Sequence, residues 1–509
     1  MKTVLPLDIA KIDAFAISFL GISEAALIRR AGEAIADALE ECGLNAGASI
    51  LFLCGGGNNG ADGYAAATVL HRRAYRALAV DVFNKGQRSE GGRAVLNEYI
   101  SLVGEPLSLE AAGKHPDVIV DAMFGTGFSG DAPERALLAA DLARSSGARV
   151  FAVDVPFGVD AAWGSVTEKA LRAEATVVLS FMKRGLLSYP AKEFTGKLIL
   201  KDIGLDIPAV HKAFPHLTDT ACDAYAQKAL PPRKDNSHKG SYGNACLFVG
   251  SAAYRGAALL ALEAAFRGGA GLVTLLSEKA VTDSALLFLP EALYKEVPPF
   301  SAWGDKEISA ALSATKGASV VLVGCGCGQS EALCRFIHAL LLSEGAPLLL
   351  DADAINSLAL RREESLSLLK KAKREVLLTP HPLELSRLSG LPLQEIQAER
   401  LRVAADFSGE YGIFLLLKGA GSVIGAKGEV FVNTSGSSAL SKGGTGDVLA
   451  GFTAALLSQG AASEAALRVG AYLHGKAGDT LAKSFSEHGV LPSELPKQIA
   501  IEMAKIIKM

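Results

Sequence analysis

Near the carboxyl end of the sequence, Gly443, Gly444, Thr445, Gly446 and Asp447 stand in a row between an extended segment, residues 429–433, and the apolar stretch VLAGFTAALL. A glycine turn that opens straight into a helix is an anion site. Glycine lets the backbone approach a phosphate, and the first helical N–H groups, unpaired within the helix, point at it from the positive end of the dipole. Gly443, Gly444, Thr445 and Gly446 are therefore expected to hold phosphate. Asp447 taken alone needs no function, because a negative charge in a first helical turn is favourable by about 0.3–1 kcal/mol. Beside a phosphate, however, a carboxylate repels the ligand unless it takes the proton from the hydroxyl that receives the phosphoryl group. That chemistry makes Asp447 the expected catalytic base.

In the amino-terminal half, the apolar run 50–54 leads into GGGNNGADGYAAATVL. Gly55, Gly57 and Gly60 there satisfy GxGxxG, with Asp81 about 20 residues further on, as a dinucleotide-binding turn requires. An ordinary dinucleotide-dependent dehydrogenase is one reading. Against it, Asp81 is followed by Val82 and Phe83 within the same apolar run, so it does not read as the end of a strand. Asn58, Asn59 and Asp62 also make the turn polar for a bare pyrophosphate. Asp154 closes the run 150–155, at the edge where open α/β sheets place ligands and catalytic groups. The structural alternative is a buried aspartate capping the next turn.

Apolar runs at residues 50–54, 77–83, 118–121, 150–155 and 175–180, separated by helical stretches, predict parallel strands with crossover helices. Ser23 ahead of EAALIRRAGEAIADAL predicts a capped helix packed on that sheet. The same rhythm restarts at 245–250 and continues at 272–276, 320–323, 348–351, 376–379 and 414–418. Between the two series, LPPRKDNSHKGSYG is rich in Pro, Gly and polar residues. We place the boundary near residue 219, giving domains 1–219 and 220–509. A chain of 509 residues exceeds the roughly 100 to 200 that one core usually supports. The halves share no motif, so they read as different enzymes or modules fused together.

Half of the residues are hydrophobic and 21% charged, a balance that suits helix-covered parallel sheets. A formal charge of −3 and the absence of any long Lys/Arg run argue against nucleic acid or an anionic membrane as partner. The seven cysteines are an odd number without a CxxC pair, and read as small buried hydrophobes in a reducing compartment. The start, MKTVLPLDIAKID, lacks the apolar core of a secretory signal, which favours the cytoplasm. Residues 257–276 are long and apolar but carry Glu263 and Arg267, which suits a buried helix rather than a membrane span.

The glycine turn resembles that of the ribokinase-like superfamily, and its companions narrow the resemblance. KGSYG at 239–243, GSAAYRGAALL, RGGAGLV, GCGCG ending at Gly328, DADAIN at 351–356, TPHPLE at 379–384 and LKGAGSV at 417–423 resemble, in order, the ADP/ATP-dependent NAD(P)H-hydrate dehydratases. Singly, Lys418 reads as a solvated strand end, His381 as a loop residue, and Gly326 and Gly328 as turn glycines. The ordered series is far more specific than any of these. The resemblance implies that Lys418, Gly419, Ala420, Gly421 and Ser422, with Gly446, hold the nucleotide. It further implies that Ala257, Gly328, His381 and Asp447 line the hydrate pocket. Two positions depart from the family: Leu383 stands in HPLE where HPGE is usual, and Ser437-Ser438 where NP is usual.

GGGNNGADG resembles the NNGGDG loop of NAD(P)H-hydrate epimerases, with Ala61 replacing a glycine. DAMFGTGFSGD at 121–131, DVPFGVDA at 154–161, MKRGLL at 182–187 and GKLILKDIGLD extend that resemblance over residues 10–206. It implies hydrate contacts from Asn58, Asn59, Gly60, Ala61, Asp62, Gly125, Thr126, Gly127, Phe128, Ser129, Gly130, Asp131 and Asp154. It implies catalysis by Asp154 as general acid and base with help from Lys183, and a potassium ion held by Asn59 and Asp121. Oxygen ligands suit such a hard cation. The family usually has Ser at position 157, so Phe157 would contribute to that ion through its backbone alone.

The resemblances together imply an α/β chain: a Rossmann-like three-layer α/β/α domain fused to a ribokinase-like α/β/α domain. The implied activity is repair of hydrated NADH or NADPH, NAD(P)HX. The first domain would interconvert the C6 epimers. The second would dehydrate the (6S) form, with Asp447 taking the C6 hydroxyl proton while ADP phosphorylates the oxygen, and phosphate then leaving. ADP as co-substrate, potassium in the first domain, magnesium in the second, and a homo-oligomer are implied with it. The alternative is a small-molecule kinase beside a noncatalytic nucleotide-binding module, using the same Asp447.

Overall fold

The computed structural model describes residues 2–83, 88–113, 115–127, 132–215 and 217–508. Its contacts divide the chain into two compact units, Met1–Asp219 and Thr220–Met509.

The first unit is built on a seven-stranded parallel sheet. Its order is Leu107–Ser108, Arg76–Asp81, Ser49–Cys54, Val118–Ala122, Arg149–Val153, Ala175–Leu179, Lys197–Lys201. Alternation along the central strand fills two cores, because successive strand side chains face opposite ways. Ile50, Phe52 and Cys54 join Ile28, Ile35, Leu39, Tyr64 and Tyr99 from the helices Glu24–Glu41, Asn58–Arg72 and Glu90–Leu102. Leu51 and Leu53 meet Ala136, Ala139 and Ala143 of the helix Glu134–Ser145 on the other face. Three layers result. The order reverses between Ser49–Cys54 and Val118–Ala122, so the open crevice of this sheet lies at their carboxyl ends.

A small second sheet was not foreseen from the sequence. Lys2–Val4 pairs parallel with Met182–Lys183 and antiparallel with Thr218–Asp219, with Val4 opposite Lys183. The helix Pro6–Phe19 starts two residues later and buries Ile12 and Ala16 against Leu27, Phe181 and Leu205. Three strand residues and a helix with little amphipathic contrast give a weak periodic signal, so only the pairing defines them.

The expected strand 77–83 ends at Asp81, and Val82 and Phe83 form the turn after it. Asp81 does therefore end its strand, a correction to the sequence reading. The apolar run continues because both turn residues pack into the core beneath them. Arg88 Nη2 donates to Asp81 Oδ2 at 2.8 Å, so this carboxylate is already engaged by a cation.

The second unit has a nine-stranded sheet in the order Leu293–Glu296, Leu272–Ser277, Asn244–Phe248, Val320–Val323, Leu348–Leu350, Val376–Leu378, Phe414–Leu417, Val423–Ala426, Glu429–Val432. The first seven are mutually parallel and the last two are added as antiparallel neighbours. The helix Thr445–Ser458 buries every residue from Val448 to its end. It is apolar all round, as a helix enclosed in a core must be. It packs on Arg255–Arg267 at Gly451, where a Cβ would lie 2.1 Å from the Ala261 carbonyl oxygen. On the opposite face Phe248, Trp303 and Phe336 form an aromatic cluster, with centroids 4.9 Å apart for Phe248 and Phe336. Among the described residues no helix is long and apolar enough to cross a membrane, and all seven cysteines are free.

Candidate active sites

In the first unit, a cavity of ≈ 750 Å³ opens at the crevice. Gly57 caps the helix Asn58–Arg72, so Asn58 and Asn59 occupy its first turn, where unpaired N–H groups face outward. Gly60 is required by close approach: a Cβ there would lie 2.0 Å from the Gly55 carbonyl oxygen. Asn58, Asn59, Asp62, Gly125, Thr126, Gly127, Asp154 and Lys183 all line the cavity. Gly60 and Ala61 are buried in the helix packing instead. Phe128, Ser129, Gly130 and Asp131 lie outside the described residues.

Asp154 follows its strand with φ of 65°, a left-handed conformation that a non-glycine residue keeps only when its surroundings enforce it. Its N–H donates to the Val177 carbonyl at 2.7 Å. Its carboxylate pairs with Lys183 Nζ and accepts from Leu179 N at 3.2 Å, while Lys183 Nζ also reaches the Leu179 carbonyl at 3.1 Å. Lys183 is buried, so its charge depends on this partner. Asp154 and Lys183 both line the cavity.

Beneath the crevice, Asp121 is fully buried, and burial pushes its carboxyl up to about 6. It accepts from Phe157 N at 2.6 Å and Met123 N at 3.1 Å, with no cationic side chain paired to it among the described residues. Asn59 Nδ2 donates to the carbonyls of Phe124 at 2.8 Å and Val153 at 3.2 Å. A buried, uncompensated carboxylate near main-chain carbonyls suits a hard monovalent cation. The Phe157 ring packs into the apolar cluster with Leu53 and Met123, and the residue's carbonyl accepts from Leu171 N at 3.0 Å.

In the second unit, Gly444 caps the helix Thr445–Ser458 at φ of 102°, which no side chain tolerates easily, and Asp447 projects from the first turn. Thr445 Oγ1 is occupied, donating to the Leu440 and Lys442 carbonyls at 3.0 Å. Lys418 sits against the turn: a Cβ on Gly446 would come within 3.4 Å of its Nζ. Lys418 Nζ bonds Asp351 Oδ1 at 2.6 Å, and Thr379 Oγ1 bonds the same oxygen at 2.7 Å. Burial disfavours the Lys418 charge, but Asp351 and Glu384 outweigh it and raise the ammonium's pKa. Burial, then the charge of Asp351, pushes Asp447 up to about 6.

Gly419, Ala420, Gly421 and Ser422 form the turn between two strands, clamped by buried Arg400, which donates to the carbonyls of Leu417 at 3.2 Å and Lys418 at 3.3 Å. Gly328 N donates to Asp353 Oδ2 at 2.8 Å, and Ala257 lies beside the same loop, meeting a notional Cβ on Gly326 at 2.9 Å. His381 is a helix cap: Nδ1 accepts from Leu383 N at 3.1 Å and Glu384 N at 3.2 Å, while Glu384 Oε2 accepts from His381 N at 2.8 Å. Burial, then nearby Lys418, lowers its pKa, which keeps the ring neutral. Gly443 is exposed at the mouth of the turn.

Asp351, Glu384 and His474 were not singled out from the sequence. Asp351 holds Lys418, and burial raises Glu384 to about 7. His474 is buried, pushed down to about 4, and hydrogen-bonded to the Thr445 backbone. An acid after an apolar run was the available signal for Asp351. His474 gave none, being one polar residue inside a 27-residue helix.

A largely parallel sheet with a glycine turn opening a helix, a carboxyl group and a lysine at its edge is the arrangement of nucleotide-dependent phosphoryl-transfer enzymes, and the chain carries with it a second α/β unit with its own polar crevice. The comparisons narrow this class. A family model described as NAD(P)H-hydrate dehydratase matches residues 245–500, and one described as YjeF-related protein N-terminus matches residues 24–185. The "Bifunctional NAD(P)H-hydrate repair enzyme Nnr" of Thermofilum pendens is 32% identical, over 98% of this chain and 96% of its own. That of Escherichia coli is 31% identical over 96% and 91%. The ADP/ATP-dependent NAD(P)H-hydrate dehydratase from Bacillus subtilis, co-crystallised with ATP/Mg2+, superposes with a TM-score of 0.50 at 29% identity, covering 56% of this chain and 98% of that one. The chain belongs to the family of bifunctional NAD(P)H-hydrate repair enzymes. Hydrate repair thereby replaces both the small-molecule kinase and the ordinary dehydrogenase readings.

Proposed function

We propose that residues 220–509 dehydrate (6S)-NAD(P)HX at the expense of ADP, giving AMP and phosphate, and that residues 1–219 interconvert the C6 epimers. The observation that carries the first half is Asp447: a carboxylate in the first turn of the phosphate-binding helix, without an ion-pair partner among the described residues. Lys418 is held by Asp351 and so does not neutralise this base. Asp447 takes the C6 hydroxyl proton as the oxygen attacks the terminal phosphate, and the N–H groups of the turn face the developing charge. Expulsion of phosphate by the ring nitrogen's lone pair gives a cyclic iminium, and loss of a proton from C5 to the departing phosphate or to water then restores the C5–C6 double bond of NAD(P)H. Magnesium, bound with the nucleotide, would find an oxygen donor in Asp351 and would supply charge neutralisation at the phosphates.

In the first unit, the helix start at Asn58 and Asn59 suits the substrate's pyrophosphate, and Asp154 with Lys183 exchanges the C6 hydroxyl proton. Potassium would be held by Asn59 and Asp121, with the carbonyls of Phe124 and Phe157, each accepting one hydrogen bond and keeping a second lone pair, as further oxygen donors. We further propose a cytoplasmic homo-oligomer, consistent with Leu286, Leu287 and Phe288 exposed in succession on one helix.

The test is to supply a mixed-epimer NADHX preparation with ADP and follow NADH recovery. Complete recovery, faster than spontaneous epimerisation and with equimolar phosphate and AMP, is expected. Recovery halting at the (6S) fraction would remove the epimerase, and a stable phosphorylated product would remove the dehydratase.

A further inference from the structure

The crevice of the first unit has two walls. One is the strand edge bearing Asp154, Ser180 and Lys183. The other is the helix Pro6–Phe19, from which Ile9, Ile12 and Asp13 enter the cavity lining. The small sheet fixes this helix in place, because Val4, opposite Lys183 in the register, lies only two residues before its start. Among the residues this helix brings to the wall, Asp13 is the one that carries a charge-bearing group.

Resting on the epimerase reading above, we infer that Asp13 is the second proton-handling residue of that reaction, acting on the ring nitrogen of NAD(P)HX while Asp154 with Lys183 serves the C6 hydroxyl. The carbon to be inverted carries a hydroxyl and the ring nitrogen N1, and so is a hemiaminal. One group takes the hydroxyl proton, the C6–N1 bond breaks, C6 becomes a carbonyl, and the bonding pair moves to N1. N1 must then receive a proton from a second group. After rotation about C5–C6, N1 adds to the other carbonyl face, returns its proton, and the oxygen is reprotonated. Atoms, charge and protons balance, and no co-reactant is needed. The scheme requires two groups on different walls, since oxygen and nitrogen leave C6 in different directions.

The surroundings of Asp13 suit an acid that exchanges its proton near neutrality. Burial raises its carboxyl to about 6, with Lys183 opposing and the charges of Asp154 and Glu24 adding to the rise. Asp62, from the helix Asn58–Arg72, and Glu24 also line this cavity, and Glu24 Oε2 accepts from Gly91 N at 3.0 Å. Burial, reinforced by Asp154 and Asp13, holds Asp62 protonated well above the usual carboxylate range. Asp62 is thereby a standing hydrogen-bond donor, whereas Asp13 can both give and retake a proton. Asp154 is committed to Lys183.

The test uses the full chain. (6R)-NADHX, left after the (6S) epimer has been consumed, is supplied with ADP and followed as NADH. In Asp13→Asn the (6R)-dependent rate is expected to fall by about a hundredfold or more, with the (6S)-dependent rate unchanged. In the unsubstituted chain the (6R) rate is expected to change with pH around 6, and Asp13→Asn to abolish that limb. Asp13→Glu, which keeps the carboxyl, is expected to recover a tenth or more of the rate and to move the limb. Survival of the (6R) rate or of the limb in Asp13→Asn overturns the inference alone, as does a rate in Asp13→Glu no better than in Asp13→Asn. No (6R) catalysis in the unsubstituted chain overturns the epimerase reading, and this inference with it.

Discussion

Each half of the chain sets an aspartate and a lysine at the carboxyl edge of a parallel sheet, yet the pairs are arranged in opposite ways. Asp154 and Lys183 are bonded to each other in the crevice of the first unit. Asp447 is left without an ion pair, and the neighbouring Lys418 is bonded to a different carboxylate, Asp351. Epimerisation ends with the protonation state it began with, so a mutually satisfied pair that lends and recovers one proton suits the oxygen side of that reaction. Phosphoryl transfer generates charge on one side, so the base must be free and the cation held apart for phosphate. Fixed pairing suits a reversible reaction and separation a directional one.

The sharpest break between the two is Asp447→Asn. The (6S)-dependent production of NADH should fall by about a thousandfold or more, within the range of a lost general base, while epimer exchange followed by chromatography stays intact. An unchanged dehydration rate would end the assignment of Asp447.

Asp154→Asn should reverse the pattern, lowering epimer exchange by about 10² to 10⁴ and sparing dehydration. It also strands buried Lys183, at a cost of about 3–5 kcal/mol, visible as an earlier melting transition. Adding Lys183→Met should restore the melting temperature without the activity. If activity returned too, the pair would be packing and nothing more.

The pH profiles extend the comparison. Asp447 must be ionised to act, and its carboxyl stands at about 6, so dehydration is expected to drop roughly tenfold between pH 7 and pH 5. The stability effect has the opposite sign. A carboxyl raised by folding contributes stability below the unfolded carboxylate range and loses it as pH rises through about 6. Asp447→Asn should accordingly melt higher than the unsubstituted chain at pH 8 and lose that advantage near pH 4. Calorimetry at the two pH values checks this.

Smaller effects follow from backbone. Gly444→Ala places a Cβ 2.7 Å from Leu260 Cδ1 at a positive φ, and is expected to cost about 1–3 kcal/mol and to weaken ADP binding measured by calorimetry. Leu383→Gly should change the melting transition least, by about 1 kcal/mol or less, because Leu383 is exposed at the start of its helix. A large loss of activity there would mean that the family's usual glycine matters to the loop and not only to its surface.

Much was legible in advance. The strand series and the helix behind Ser23 appear where periodicity placed them, since burial on both faces of a parallel sheet demands unbroken apolar runs. The glycine turn was equally plain, because its geometry is set by consecutive residues at one helix start. Asp81 shows the limit. A turn packed into the core looks like more strand, and only the structure shows where pairing stops.

The sequence by itself determined the elements, the two series of motifs, and the residues whose placement is local: Gly444 and Asp447 at one helix start and Asn58 at another. Tertiary structure decided everything that depends on distant partners. Asp351 meets Lys418 across 67 positions and Asp154 meets Lys183 across 29. Asp13 reaches the cavity because a three-residue strand pairs beside Lys183. Phe157 turns its ring into the core and leaves its N–H to Asp121. No period or spacing encodes such meetings, because a charge acquires its partner, and its proton affinity, only from what the fold brings next to it.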